Sequence, residues 1–131
     1  MNKQERAEMY RSYLTEEGYA PKIDEDGDVT FKYEGGMYFI AVDDKDEEFF
    51  RLVFPGFWSI DNEIERAKVN RAALYATERT KVAKVYAVAD NTWASIEMFC
   101  FPPETFKQVF HRSMSALRAG VQNFQDKMQE H

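Results

Sequence analysis

The sequence predicts an α+β domain: an antiparallel sheet of about five strands in the order helix, three strands, helix, two strands, helix. Three observations predict it. Apolar residues recur at helical spacing in residues 3–17, in residues 60–78, and from Pro102-Pro103 to about residue 127, and between these stretches the pattern changes to strict alternation. The alternating stretches are joined by turns of hairpin length rather than by helices, so neighbours run antiparallel and the helices are segregated from the strands. Finally, 131 residues with 44 % apolar and 15 % aromatic side chains make one domain, residues 1–131, that folds without disulfide or metal support.

The first helix, residues 3–17, places Ala7, Tyr10, Leu14 and Glu17 on one face, widened by Met9 and Tyr13. Gly18 suits the positive-φ position that ends a helix, and Pro21 prevents a restart. In residues 23–29, Asp24, Asp26 and Asp28 superficially match a calcium loop. The match fails because Val29 stands where glycine is needed and Gly35 where glutamate is needed. Asp26-Gly27 therefore reads as a tight turn. Strand 28–34 alternates Val29, Phe31 and Tyr33 with polar residues, and Gly35-Gly36 reads as a two-residue hairpin loop. Strand 37–42 is apolar on both sides, with Met37, Phe39 and Ala41 opposing Tyr38, Ile40 and Val42, which predicts cover on both faces. An acidic loop, 43–48, leads to strand 49–54, whose only charge is Arg51. Pro55-Gly56 stops that strand. Phe57-Trp58 follow as an aromatic corner, either tucked under the sheet or offered as a partner contact.

The second helix, residues 60–78, has Ser59, Asp61 or Asn62 as its cap, and Asn62 with Glu65 approaches a capping box. Ile60, Ile64, Ala67, Leu74 and Tyr75 lie on one side, and Val69, Ala72, Ala73 and Ala76 nearly opposite, so the helix is expected to be contacted on two sides. Arg71, within the first side, is expected to reach an edge carboxylate. Strands 81–89 and 92–101 flank Asp90-Asn91, a type I′ pair. Cys100 falls among apolar residues and reads as a small inert core side chain. In the last helix Phe110, Met114, Leu117, Val121, Phe124 and Met128 recur at spacings of four and three, extended backwards by Phe106 and Val109. At 1.5 Å per residue it is roughly 36 Å long, against about 20 Å for a strand. Part of this seam must overhang the sheet, lie under the first helix, or meet a partner. Gly120 is its weak point, and His111 flanks it as a surface residue.

Net charge is −6 and the isoelectric point about 5.0, which disfavours nucleic acid and anionic membranes as partners. The charge is lopsided: residues 1–50 hold 14 acids against 6 bases, the remainder 9 against 11. A single cysteine excludes an intrachain disulfide, and His111 and His131 cannot complete a His/Cys metal cluster with it. With neither a signal peptide nor an apolar run near 18 residues, the sequence predicts a cytoplasmic protein with no cofactor.

The helix–three strands–helix–two strands–helix order, the Gly18-Tyr19 helix exit, the Asp26-Gly27-Asp28 turn, and the Tyr38–Val42 strand followed by an acidic turn together resemble the type III secretion chaperone-like fold. Within it, the chain resembles the YbjN-like bacterial proteins described as sensory transduction regulators. That resemblance spans nearly the whole chain. It implies a homodimer, often built around the second helix, that binds a non-globular segment of a partner protein and has no enzymatic activity. On this sequence it points to Val69, Arg71, Ala72, Ala73 and Ala76 as dimer contacts, with no ligand residue to transfer. The residues add Phe57 and Trp58 as partner contacts.

Two alternatives belong to other classes. A small-ligand-binding or catalytic domain requires a pocket with convergent polar groups, for instance an apolar cavity holding Glu97 or Arg51 at a displaced pKa. No Ser/His/Asp grouping or phosphate-binding glycine loop is visible. Nucleic-acid binding would have to use Arg79, Lys81 and Lys84.

Overall fold

A computed structural model describes residues 1–130. Its helices are α1 (Lys3–Glu16), α2 (Glu63–Arg79) and α3 (Phe106–Met128). Its strands are β1 (Lys22–Ile23), β2 (Val29–Tyr33), β3 (Gly36–Val42), β4 (Phe49–Phe54), β5 (Ala83–Val88) and β6 (Asn91–Phe99). The strands form one sheet in the order β1-β2-β3-β4-β6-β5, antiparallel at every pairing. The fold class is as the sequence predicts, with six strands rather than five. The additional strand, β1, is two residues long, too short to show a period. It forms because the turn at 24–28 returns the chain on itself: Asp24 Oδ1 accepts from the backbone N–H of Asp26 (2.9 Å) and Asp28 (3.0 Å), and Gly27 takes φ +83°. The Asp26-Gly27 turn is therefore present. Asp28 goes on to accept from Val42 N–H at 2.8 Å, tying the turn to β3.

Helix ends follow local chemistry. The Asn2 side chain accepts from Glu5 N–H and the Glu5 carboxylate accepts from Asn2 N–H, a complete capping box. Gly18, at φ +95°, lets Tyr19 N–H return to Leu14 C=O. Asn62 caps α2 through Glu65 N–H at 2.8 Å. A single 3₁₀ turn, Pro103–Thr105, precedes α3.

Two hairpin loops lie one residue earlier than expected. The first is Glu34-Gly35, both at positive φ (47° and 81°), which is the type I′ requirement. Gly36 belongs to β3 and pairs with Tyr33. There the Phe54 ring lies 2.9 Å from where a Cβ would stand, so a side chain at 36 would collide with β4. The second loop is Ala89-Asp90, since Val88 pairs with Asn91.

The core lies between one sheet face and the helices. Val29, Phe31, Tyr38, Ile40, Val42, Phe50, Leu52, Ala83, Val85, Ala94 and Ile96 point into it. α1 packs on β1–β3, α3 crosses β4, β6 and β5, and α2 packs on α3 and β5. The α3 seam is core: Phe106, Phe110, Met114, Leu117, Val121 and Phe124 are buried. Its overhang is covered within the chain. Tyr10 and Tyr13 of α1 meet Phe106 edge-on, and Phe57 and Trp58 meet Phe124 at the other end.

Candidate functional site

Of the residues expected at a dimer contact, Val69, Ala72, Ala73 and Ala76 are buried inside the single chain. The close approach that their small side chains permit is made to α3 and β5, so this face is not available to a second copy. Arg71 is exposed beside Lys68, Lys127, Met128 and Glu130, and it forms no ion pair among the described residues. Outward from α2 project Ile64 (76 % exposed) and Leu74 (68 %). Of that side, Ile60 is buried ahead of the helix and Tyr75 is half-buried under Arg79 and Lys127, so Ile64, Ala67 and Leu74 are the exposed part.

Phe57 and Trp58 are half-buried. Phe57 stacks on Phe54, with centroids 5.5 Å apart, and its N–H donates to Thr92 C=O. Trp58 donates through Nε1 to Glu65 Oε1 at 3.0 Å and through its backbone to Asn91 Oδ1 at 3.2 Å. The corner tucks against the core. One side of Trp58 stays open on a depression of about 380 Å³ shared with Ile64, Lys68 and Met128.

The sheet face opposite the helices carries exposed apolar side chains. The two-sided apolar pattern of β3 predicts cover on both faces, yet helices cover only one. Met37 is 46 % exposed, and Phe39 and Ala41 are half-exposed. Phe39 meets Trp93 edge-on, with centroids 6.0 Å apart, so their rings bridge the face across β4. At one end Phe49 lies against Phe99 at 6.1 Å, and Phe99 is 74 % exposed.

Beside these rings lies a polar cluster. Arg51 Nη2 donates to Tyr86 Oη (3.0 Å), Tyr86 O–H to Ser95 Oγ (3.3 Å), and Ser95 O–H to Glu97 Oε2 (3.0 Å). Lys84 Nζ donates to Glu97 Oε1 at 2.9 Å, and Arg51 Nε lies 3.4 Å from Glu97 Oε2. Burial pushes the Glu97 carboxyl up. The hydrogen bonds from Lys84 and Ser95 and the charges of Lys84 and Arg51 outweigh that push and hold it below the ordinary glutamate range. Between this cluster and Asn70, Leu74 and Thr77 of α2 runs an open groove of about 640 Å³. An open groove thus holds both Glu97 and Arg51, and the displaced pKa belongs to Glu97. The direction of the shift makes Glu97 a satisfied anion near neutral pH, not a proton donor. Thr77 closes the adjoining sheet edge: its Oγ1 accepts from Val85 N–H (2.9 Å) and donates to Val85 C=O (3.3 Å).

No family model matches this sequence, and no curated protein matches it.

Among the described residues no group of three or more His, Cys, Asp or Glu side chains could hold a metal, and no helix is long and apolar enough to cross a membrane. His131 lies outside the described residues. Cys100 is buried, and burial raises its thiol pKa. His111 bonds to Glu17, joining the end of α1 to α3. Of the three cations considered for nucleic acid, Lys84 is paired on the open sheet face, whereas Arg79 and Lys81 border a different groove, beside α3.

Two features escape sequence reasoning. Arg6 is buried at 1 % exposure. It donates through Nη2 to Asp43 C=O at 2.7 Å, while Nε and Nη1 have no partner. The only sequence signal is its place beside Ala7 on the inward side of α1. Phe99 and Phe101 read as strand residues, but only the position of the helices reveals that they face outward.

Proposed function

We propose that this protein is a non-enzymatic interaction module that acts as a homodimer and holds a segment of a partner protein, as its resemblance to YbjN-like proteins and secretion chaperones implies. The single observation that carries the reading is the uncovered sheet face. Antiparallel sheets tolerate one wet face when it is polar, but this one presents Met37, Phe39, Phe49, Trp93 and Phe99. They form two clusters, Met37, Phe39 and Trp93 at one end and Phe49 and Phe99 at the other, with the Arg51–Glu97 pair between them. Exposed apolar clusters of this kind mark an interaction site.

The proposed occupant is a second copy of the chain. A two-fold interface needs a self-complementary patch. Asp26, Asp43 and Asp44 rim this face beside Phe49 and Arg51, and Lys84 stands on the far strand β5. A two-fold rotation about an axis along the strands turns each Lys84, which also bonds Glu97, toward the partner's acidic rim. The Trp58–Ile64 depression on α2 then remains free for an apolar side chain of the partner segment.

Trp93 reports on this directly. In a Trp58→Phe background, dilution from tens of micromolar to nanomolar is expected to make Trp93 fluorescence more accessible to acrylamide. Accessibility that does not change with concentration while the solution mass remains dimeric moves the interface to another face. An unchanging accessibility with a monomeric mass removes the homodimer.

A further inference from the structure

A second concavity, away from the open sheet face, is lined by the α2–β5 connection, Met98 of β6 and the outer side of α3. Its volume is about 600 Å³, within the range of roughly 300–1,000 Å³ usual for small-molecule sites. Val82, Met98, Val109 and Ala116 supply an apolar lining, and Arg79, Lys81 and Arg112 stand around it with no carboxylate among the lining residues. In a chain of net charge −6, that is a local excess of positive charge. None of the three cations forms an ion pair among the described residues; Arg79 instead lies over the Tyr75 ring at 4.4 Å.

Two independent features mark this groove as more than a seam between elements. Ser113, which lines it, is 3 % exposed, and its hydroxyl has no hydrogen-bond partner. A buried hydroxyl without a partner is destabilising, and a ligand acceptor would recover that loss. Val82 adopts φ +65°, a region that β-branched residues avoid and whose occupation clusters at ligand sites. The groove is also built on firm ground. Asn123 donates to Thr80 Oγ1 at 2.9 Å, and Gly120 lets α3 close so far onto β5 that an added Cβ would stand 3.2 Å from that of Ala83.

We propose that this groove binds a single-chain amphiphile with an anionic head, of which a medium-chain fatty carboxylate is the simplest example. The alkyl chain lies along Val82, Met98, Val109 and Ala116, and Met98 gives the wall an adaptable surface. The carboxylate accepts from the Ser113 hydroxyl and is held by Arg112, Lys81 and Arg79. This inference is independent of the homodimer.

The test is titration calorimetry with dodecanoate, kept below the concentration at which it forms micelles, against the full chain. Saturable binding of one dodecanoate per chain is expected, with dodecanol at least ten-fold weaker. Lys81→Glu combined with Arg112→Glu is expected to weaken dodecanoate at least ten-fold and to leave dodecanol and the melting temperature unchanged, because both side chains are exposed. Ala116→Leu fills the groove and should weaken both ligands. Ser113→Ala removes the orphaned hydroxyl, so it should weaken dodecanoate several-fold while raising the melting temperature. The proposal is overturned by absence of saturable binding, by equal affinity for dodecanol and dodecanoate, or by dodecanoate binding that ignores both Ala116→Leu and the double charge reversal. An acidic amphipathic peptide that occupies the groove where dodecanoate does not would assign it to a protein segment and equally overturn the proposal.

Discussion

Arg6 and Glu97 show how differently two charges are treated in one sheet-and-helix sandwich. Arg6 is buried with a single backbone acceptor, and a charge so placed forfeits much of its hydration. Arg6→Met keeps the volume and removes the charge. It is expected to melt at or above the wild-type temperature, whereas Arg6→Ala leaves a cavity and costs about 2–3 kcal/mol. A Met variant as unstable as the Ala variant would show that the Asp43 carbonyl bond dominates. Glu97 is the opposite case, an anion supplied with donors. Its folded pKa lies below the unfolded value near 4.5, so its contribution is fully present above that value and is lost as pH falls through the folded pKa. Chemical denaturation between pH 6 and pH 3 should show wild type losing stability more steeply than Glu97→Gln at the acid end. Parallel profiles would contradict the assignment. Neither environment was legible from residue type. Arg6 follows the same spacing rules as any solvated arginine, and Glu97 alternates like any strand glutamate; only the tertiary neighbours separate them.

At the scale of elements the sequence was most legible where periodicity is long and least legible where a register depends on a neighbour. The α3 seam spans more than two heptads and is buried as its spacing requires. The two glycines at 35 and 36 look equivalent in sequence, but the Phe54 ring over Gly36 places it in the strand and moves the loop one residue back. On α2 the two apolar sides were visible, but not which of them the chain itself would cover. Because Ala72 is buried against the core, Ala72→Arg is expected to cost about 3–5 kcal/mol through an unpaired buried charge, read as a lower midpoint in urea. A variant of unchanged stability would place α2 differently. Gly120 shows two effects in competition. A helix favours alanine over glycine by about 1 kcal/mol, but Ala83 and Thr80 crowd the position. Gly120→Val is therefore expected to destabilise by roughly 1–3 kcal/mol, and a stabilised variant would mean that α3 has room to move off β5.

For the whole molecule, the sequence conveyed the class and the order of elements but not the distribution of helices over the two sheet faces. β3 carries apolar side chains on both sides, and the helices of the chain cover one of them. That leaves Phe39, Trp93 and Phe99 as the proposed seat of a second copy. In the proposed dimer the acidic first half and the more basic second half meet across a two-fold axis, and the Trp58–Ile64 depression stays accessible. The decisive measurement is sedimentation equilibrium at tens of micromolar on wild type, Phe39→Lys and Ile64→Lys. Phe39→Lys alters the open sheet face, and Ile64→Lys alters the exposed side of α2 beside Trp58, away from that face. A dimer through the sheet face predicts twice the chain mass for wild type and for Ile64→Lys, and the mass of a single folded chain for Phe39→Lys. A wild type that sediments as a single chain, or a Phe39→Lys variant that remains dimeric, would contradict it.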